Sequence, residues 1–390
     1  MPSVGDTANS ARDEYGIYID NNAYDWNGDG VGGDAIVALT GVTASYNYYT
    51  NIYIDNESSE GLAQVTLGNV TADYSRSDYG IYVDNTAYDN DGDGVGGDAL
   101  VSLTGVTATY NYSTNIYIDN ASYEGLAQVT LATVDASRSM WDYGIYIDND
   151  AYDNDGDGFA GDALVTLTGV TADGSYSTNI YISNGSYEGL ARVDLANVAA
   201  SGSRDYYGID IQNYAYDMNA DGVGGDAIVT LTGVTANGNY STNVYIYNAS
   251  YEGLAKVSLD TVIASGSRDY YGVYIDNNAY DNDVDGVSGD AVVLLYNVTA
   301  NDNYSTNIYI DNTSAEANAT TILNSITANA ALYGDGIYIS NYANDNNADT
   351  VGGDALVAMS YVSASYNEYD GVYLSEGSAA GTASLLVEGS

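Results

Sequence analysis

Self-similarity at a fixed spacing constrains this chain more than any other feature. A tripeptide of the Ile-Tyr-Ile type begins at Ile17, Ile81, Ile145, Ile209, Val273 and Ile337, and a second series begins at Ile52, Ile116, Ile180, Val244, Ile308 and Val372. Both series advance by 64 residues without drift, as from 17 to 81 or from 52 to 116. Each unit therefore holds two similar halves of unequal length. Six units are expected at residues 7–70, 71–134, 135–198, 199–262, 263–326 and 327–390, giving twelve half-units in one domain. A half-unit is too small to bury an apolar face alone, so such repeats fold by stacking on their neighbours.

Within a half-unit the sequence reads Ala-x-Val-x-Leu-x-x-Val-x-Ala, a polar turn, then Gly/Asn-Ile-Tyr-Ile-x-Asn. Apolar residues alternate with Thr, Ser, Gln or Tyr at period two, the pattern of a strand with one face buried and one wet. In the third unit Ala163, Val165, Leu167, Val170 and Ala172 are expected to point inward, with Thr166 and Thr168 outward. The extra residue between Leu167 and Val170 reads as a bulge that bends the strand. Ile180 and Ile182 then point inward and Tyr181 outward.

The segments "ALVAMSYVSASYNEYDGVYL" (Ala355 to Leu374) and "VTLATVDASRSMWDYGIYIDN" (Val129 to Asn149) resemble the right-handed parallel β-helix repeat. This is the pectate-lyase-like β-solenoid that also occurs in microbial surface proteins and adhesins. The resemblance covers essentially the whole chain, with twelve copies in register. It implies an all-β column of about twelve rungs, roughly 58 Å long at the inter-strand spacing of a sheet. One rival fits the period: a six-bladed β-propeller, with four short strands and one acidic loop per 64-residue blade. Propeller strands are apolar on both faces, whereas these alternate.

On a column, equivalent side chains lie above one another. The asparagine after each tripeptide is expected to form a ladder through Asn21, Asn56, Asn85, Asn120, Asn149, Asn184, Asn213, Asn248, Asn277, Asn312 and Asn341, broken only by Glu376 in the last rung. Stacked amides donate and accept along the axis and so satisfy a tight turn. Asn56, Asn120, Asn184, Asn248 and Asn312 also open Asn-x-Ser/Thr sequons, which leaves glycosylation as the competing use. A tyrosine row is expected at Tyr18, Tyr53, Tyr82, Tyr117, Tyr146, Tyr181, Tyr245, Tyr274, Tyr309, Tyr338 and Tyr373, with Asp210 as its one gap. The rings either stack on each other and stiffen the sheet or form a docking face for glycans or a neighbouring rod.

The first half of each unit carries an acidic, glycine-rich insert. Its candidate metal ligands are Asp25, Asn27, Asp29 and Asp34; Asp89, Asp91, Asp93 and Asp98; Asp153, Asp155, Asp157 and Asp162; Asp217, Asn219, Asp221 and Asp226; Asp281, Asp283, Asp285 and Asp290; and Asp345, Asn347, Asp349 and Asp354. Carboxylates at alternate positions of a Gly-turned loop converge on one point and suit a hard cation with several oxygen ligands. The inserts resemble the start of EF-hand, dockerin and thrombospondin-type calcium loops, which implies up to six structural Ca²⁺ ions. An EF-hand has a bidentate Glu at position twelve, where this chain has Leu100 and Leu164; the aspartate at position ten is expected to take its place. The sixth loop, with Thr350 for Gly and Asn347 for Asp, departs furthest from the pattern.

Composition decides among functions. Seven Lys+Arg against 54 Asp+Glu give a formal net charge of -47, which repels nucleic acid and anionic membranes and draws cations. No apolar run reaches the ~18 residues of a membrane span, and the first residues lack the basic and apolar regions of a signal peptide. Histidine is absent, Lys256 is the one lysine, and Arg12, Arg76, Arg138, Arg204 and Arg268 recur at similar turns. A catalytic site is a unique constellation that interrupts a repeat, and no unit stands out, so no enzyme activity is expected. The reading is an extracellular or cell-surface structural protein. It is a calcium-stabilised rod that associates with itself head to tail in a filament, sheath or surface layer, or serves as an adhesin stalk. Glycan binding through the tyrosine row is the alternative, and a polysaccharide-active enzyme is a more remote one.

Overall fold

The computed structural model describes residues 7–12, 14–25, 32–89, 96–153, 161–217, 224–281, 288–345 and 352–388. Its described residues contain 24 strands and no helix. Odd-numbered strands, from β1 (Ile17–Ala23) and β3 (Ile52–Ser59) to β23 (Val372–Ser378), form one 12-stranded sheet. Even-numbered strands, from β2 (Ala35–Thr40) and β4 (Ala63–Gly68) to β24 (Ala383–Glu388), form the other. Every pairing is parallel and in the register that the period dictates: Ile17 opposes Ile52, and Ile52 opposes Ile81. The protein is thus a parallel β-solenoid of twelve rungs. A propeller is excluded, because each sheet takes one strand from every half-unit instead of closing four strands into a blade.

Alternation in sequence becomes alternation in burial. In β10 (Ala163–Thr168), Ala163, Val165 and Leu167 are buried between outward Leu164, Thr166 and Thr168. Val170, Ala172, Ile180 and Ile182 join them inside, as expected. One aliphatic core runs along the rod from Val37 to Met359.

The break between Leu167 and Val170 is a corner and not a bulge. Gly169 takes a left-handed φ of 62°, the strand ends at Thr168, and pairing resumes for a single residue at Thr171. Equivalent bridges join Thr7, Thr43, Thr71, Thr107, Asp135, Thr171 and their successors to Thr327, a third side one residue wide. The left-handed position is held by Gly41, Asn69, Gly105, Thr133 and Asn197 in other rungs. A period-two count cannot tell such a corner from a bulge, since both insert one residue.

The asparagine ladder is present and directional. Each Nδ2 donates to the Oδ1 of the next asparagine, from Asn21 to Asn56 at 2.6 Å through Asn312 to Asn341 at 2.8 Å. From Asn56 onward Nδ2 also donates to the carbonyl of the alanine that opens a strand of the second sheet, as Asn149 does to Ala127 at 3.1 Å. The ladder therefore ties the two sheets together at their shared corner. Asn56, Asn120, Asn184, Asn248 and Asn312 have no exposed surface. Their amide hydrogens are committed, so the sequons offer no acceptor in the folded rod.

A second asparagine network lies at the opposite corner, between the third side and the tripeptide strand. Asn51 Nδ2 donates to Asn111 Oδ1 at 3.0 Å, and Asn111 Nδ2 to Asn115 Oδ1 at 2.9 Å. The link from Asn51 to Asn111 passes over the intervening rung at Gly80. This explains the Gly/Asn alternation before the tripeptide: a Cβ on Gly80 would lie 2.3 Å from Asn111 Nδ2 and 2.6 Å from the Asn115 carbonyl. Gly80→Ala is expected to cost about 3 kcal/mol through this clash. Gly238→Ala, where nothing lies within 4 Å of the added Cβ, should cost only the ~1 kcal/mol of an L-residue at φ 63°. Urea denaturation of the two variants checks the difference, and equal costs would count against the bridging role.

Candidate functional site

The acidic inserts sit at one corner of the rod, where the tripeptide strand hands over to the second sheet. Even rungs close this corner with three or four residues, such as Glu60-Gly61-Leu62 between β3 and β4. Odd rungs use the much longer path from Tyr24 to Asp34. The inserts therefore belong to alternate rungs, and their described first and last residues recur at the same corner.

The first and tenth positions of every insert are described. Asn27, Asp29, Asp91, Asp93, Asp155, Asp157, Asn219, Asp221, Asp283, Asp285, Asn347 and Asp349 lie outside the described residues. The tenth-position aspartates anchor the corner. Oδ1 of Asp34, Asp98, Asp162, Asp226, Asp290 and Asp354 accepts the backbone N–H of Leu62, Leu126, Leu190, Leu254, Asn318 and Thr382 respectively, at 2.7 to 3.2 Å. One oxygen of each carboxylate is thereby engaged in joining its rung to the next.

The register also brings in residues that a loop-by-loop reading of the sequence misses. The pairing of Ile17 with Ile52 and of Ile52 with Ile81 carries Asp25 onto Glu60, and Glu60 onto Asp89. Continued along the rod, it produces an acidic column through Asp25, Glu60, Asp89, Glu124, Asp153, Glu188, Asp217, Glu252, Asp281, Glu316 and Asp345. Each glutamate lies against the end of the preceding insert. A Cβ on Gly32 would stand 3.0 Å from that of Glu60, one on Gly96 3.2 Å from that of Glu124, and one on Gly224 3.3 Å from that of Glu252. The backbone N–H of Glu60 donates to Tyr88, the residue before Asp89, at 2.8 Å, and Glu124, Glu188 and Glu252 repeat the bond. The sequence signal was a Glu at the same spacing from the insert's first Asp as one tripeptide from the next, 25 to 60 against 17 to 52. In the sixth unit this position is Ala380.

Several column members are inside the protein: Asp217 is 3% exposed, Asp89 5%, Glu316 6% and Glu252 8%. The inserts contain no Lys or Arg, and the ion pair Arg192–Asp194, 2.7 Å, lies elsewhere, on the outer face of the second sheet. Among the described residues no three His, Cys, Asp or Glu side chains converge tightly enough to hold a metal ion.

The outward face of the first sheet is aromatic. Tyr18, Tyr53, Tyr82, Tyr117, Tyr146 and Tyr181 stack in sequence with centroids 4.7 to 5.0 Å apart, and Tyr245, Tyr274, Tyr309, Tyr338 and Tyr373 continue after the gap at Asp210. Planes within the row are parallel to within 16°, so the ring faces lie against each other while edges and hydroxyls meet solvent. A second row runs through Tyr88, Tyr123, Tyr152, Tyr187, Tyr216, Tyr251 and Tyr280 at 4.8 to 5.4 Å. Between the rows Asp20, Asp55, Asp84, Asp119 and Asp148 stand on consecutive rungs. Desolvation, followed by the carboxylates of Asp84 and Asp148, pushes Asp119 up to about 6. Burial likewise lifts Asp150 to about 7, with Asp148 adding to the effect. The phenols rise too: burial and then Asp119 hold Tyr117 at about 12.

No protein-family model matches the chain, and no curated protein or solved structure matches it either.

Proposed function

We propose that this chain is a structural protein, an extracellular or cell-surface rod whose acidic corner binds calcium and which associates with further copies along its axis. A fibre, sheath, surface layer or adhesin stalk is the setting that such a rod suits. The observation that carries the calcium part is the acidic column. Carboxylates placed over one another on successive rungs repel, and this corner repeats them along a chain of net charge -47. The residues that would hold a Ca²⁺ ion are the insert's alternate acids with Asp25 and Glu60, and their counterparts in the units that follow. A bound divalent cation would supply positive charge between rungs and oxygen coordination that fixes the insert.

Other observations support the rod. Each rung repeats the same stacked side chains, so the molecule's regularity lies in its axis and not in a pocket. The stacked tyrosines use their faces on each other, which favours stiffening over a glycan platform. The resemblance to parallel β-helix surface proteins points the same way.

Thermal unfolding followed by circular dichroism tests the metal part. Calcium added to EDTA-treated protein is expected to raise the melting temperature by several degrees, since a ligand that binds only the folded state stabilises it. An identical melt in EDTA and in calcium would contradict it. Electron microscopy of the same samples tests the assembly part separately: end-to-end filaments are expected, and isolated short rods at every concentration would contradict it.

A further inference from the structure

Charge is unevenly spread around the rod. In the strands of the second sheet from β2 to β22 (Ala355–Ser363), the charged residues are Arg192 and Asp194 in β12 (Ala191–Ala196) and Lys256 and Asp260 in β16 (Ala255–Asp260). This side is neutral, in a chain of net charge -47. The first sheet is the contrast: Asp20, Asp55, Asp84, Asp119 and Asp148 stand on consecutive rungs, and its strands hold no Lys or Arg. Both bases that lie on strands therefore belong to the second sheet's outer face.

That face also has a regular relief. Each six-residue strand turns its second, fourth and sixth residues outward, where they are exposed or half-buried. A long second residue shares its strand with a small sixth one, as in Gln64 with Gly68, Gln128 with Ala132 and Arg192 with Ala196. A branched aliphatic second residue shares its strand with threonine, as in Leu100 with Thr104, Leu164 with Thr168 and Ile228 with Thr232. The fourth residue between them is short along most of the rod, as at Ala38, Ser102 and Thr166.

We propose that two copies of this chain pack side by side through the outer faces of their second sheets, with the rods running in the same direction. A two-fold axis along the rod, above the fourth residues, lays each second residue over the sixth residue of the same rung in the other copy. Large side chains then meet small ones. Lys256 meets Asp260 of the second copy, and the symmetry makes this ion pair twice. Asp194 faces Asp194 of the second copy, each already neutralised by its own Arg192 at 2.7 Å. Rods running in opposite directions lay second residues on second residues, among which there is no acid, so Lys256 and Asp260 find no partners. Twelve rungs at ~4.8 Å and strands ~20 Å long offer about 1,100 Å² per copy, above the ~800 Å² per partner of a standard interface. The contact is separate from calcium at the acidic corner and from association along the axis.

Disulfide cross-linking of the full chain tests it, because the chain has no cysteine of its own. Thr66→Cys and Ala358→Cys, at fourth residues near opposite ends of the rod, are each expected to link to the same site in a second copy under mild oxidation. End-to-end association brings neither pair together. Tyr240→Cys, exposed on a turn away from this face, should stay unlinked. Adding Thr130→Glu with Thr230→Glu, which sets like charges against each other across the axis, should slow the cross-link roughly tenfold or more, while circular dichroism shows the fold kept. No cross-link at either site, or equal rates at all three, overturns the proposal. Cross-links that form only when the Thr66→Cys and Ala358→Cys chains are mixed would set the rods in opposite directions and overturn it as well.

Discussion

Asn149→Leu is expected to be among the most damaging single substitutions in the rod. Asn149 accepts from Asn120 Nδ2 at 2.7 Å and donates to Asn184 Oδ1 at 2.8 Å and to the Ala127 carbonyl at 3.1 Å. Leucine strands all three partners, none of which reaches water. Each buried orphan costs about 1–3 kcal/mol, so the total is on the order of 3–6 kcal/mol. Since each rung contacts only its neighbours, the loss should be local. Hydrogen exchange is expected to accelerate first in the strands holding Asn120, Asn149 and Asn184, and the urea midpoint should fall. Asn21→Leu is the control, because Asn21 is half-buried on the first rung, where its side-chain amide donates to Asn56. Equal effects at the two sites would show that the ladder does not hold the rungs.

Acidification is expected to stabilise the protein, the reverse of ordinary acid denaturation. Asp119 at about 6, and Asp150 and Asp210 at about 7, bind their protons more tightly in the rod than in the unfolded chain, where a carboxyl titrates near 3.8. Their contribution to stability is therefore complete below pH ~4 and is lost as pH rises through 6 to 7. The cause is burial in each case, reinforced by Asp84 and Asp148 around Asp119 and by Asp148 and Asp119 around Asp150. In EDTA, the melting temperature at pH 5 should exceed that at pH 8 by on the order of 5 °C or more. A melting temperature that falls between pH 8 and pH 5 would contradict this account of the outer face.

What could be read from the amino acids depended on which interactions share the repeat's own spacing. The inward Ala, Val, Leu and Ile, the Asn21-to-Asn341 ladder and the tyrosine row recur once per rung, so one alignment of half-units exposes them. The corner at Gly169 was misread as a bulge because a left-handed turn and a bulge both insert one residue. The Asn51–Asn111 link was hidden for a different reason. It joins rungs that are not adjacent, and its trace in the sequence is the glycine left in the rung between. Glu60 and its equivalents went unnoticed because the inserts were compared with self-contained calcium loops, whereas a solenoid assembles a corner from successive rungs. Asp210 was visible as a gap, but that its carboxyl is buried between rings required the register.

The central claim is that equivalent residues of successive units lie on one straight axis. Pulsed electron spin resonance between labels on cysteines placed at Thr40 and, in turn, at Thr104, Thr168, Thr232 or Tyr296 measures this directly. All five residues end strands of the second sheet on its exposed side. The account predicts separations that grow linearly, by about 10 Å for each 64-residue unit. Distances that rise and then fall again with sequence separation, as around a closed ring, would contradict it.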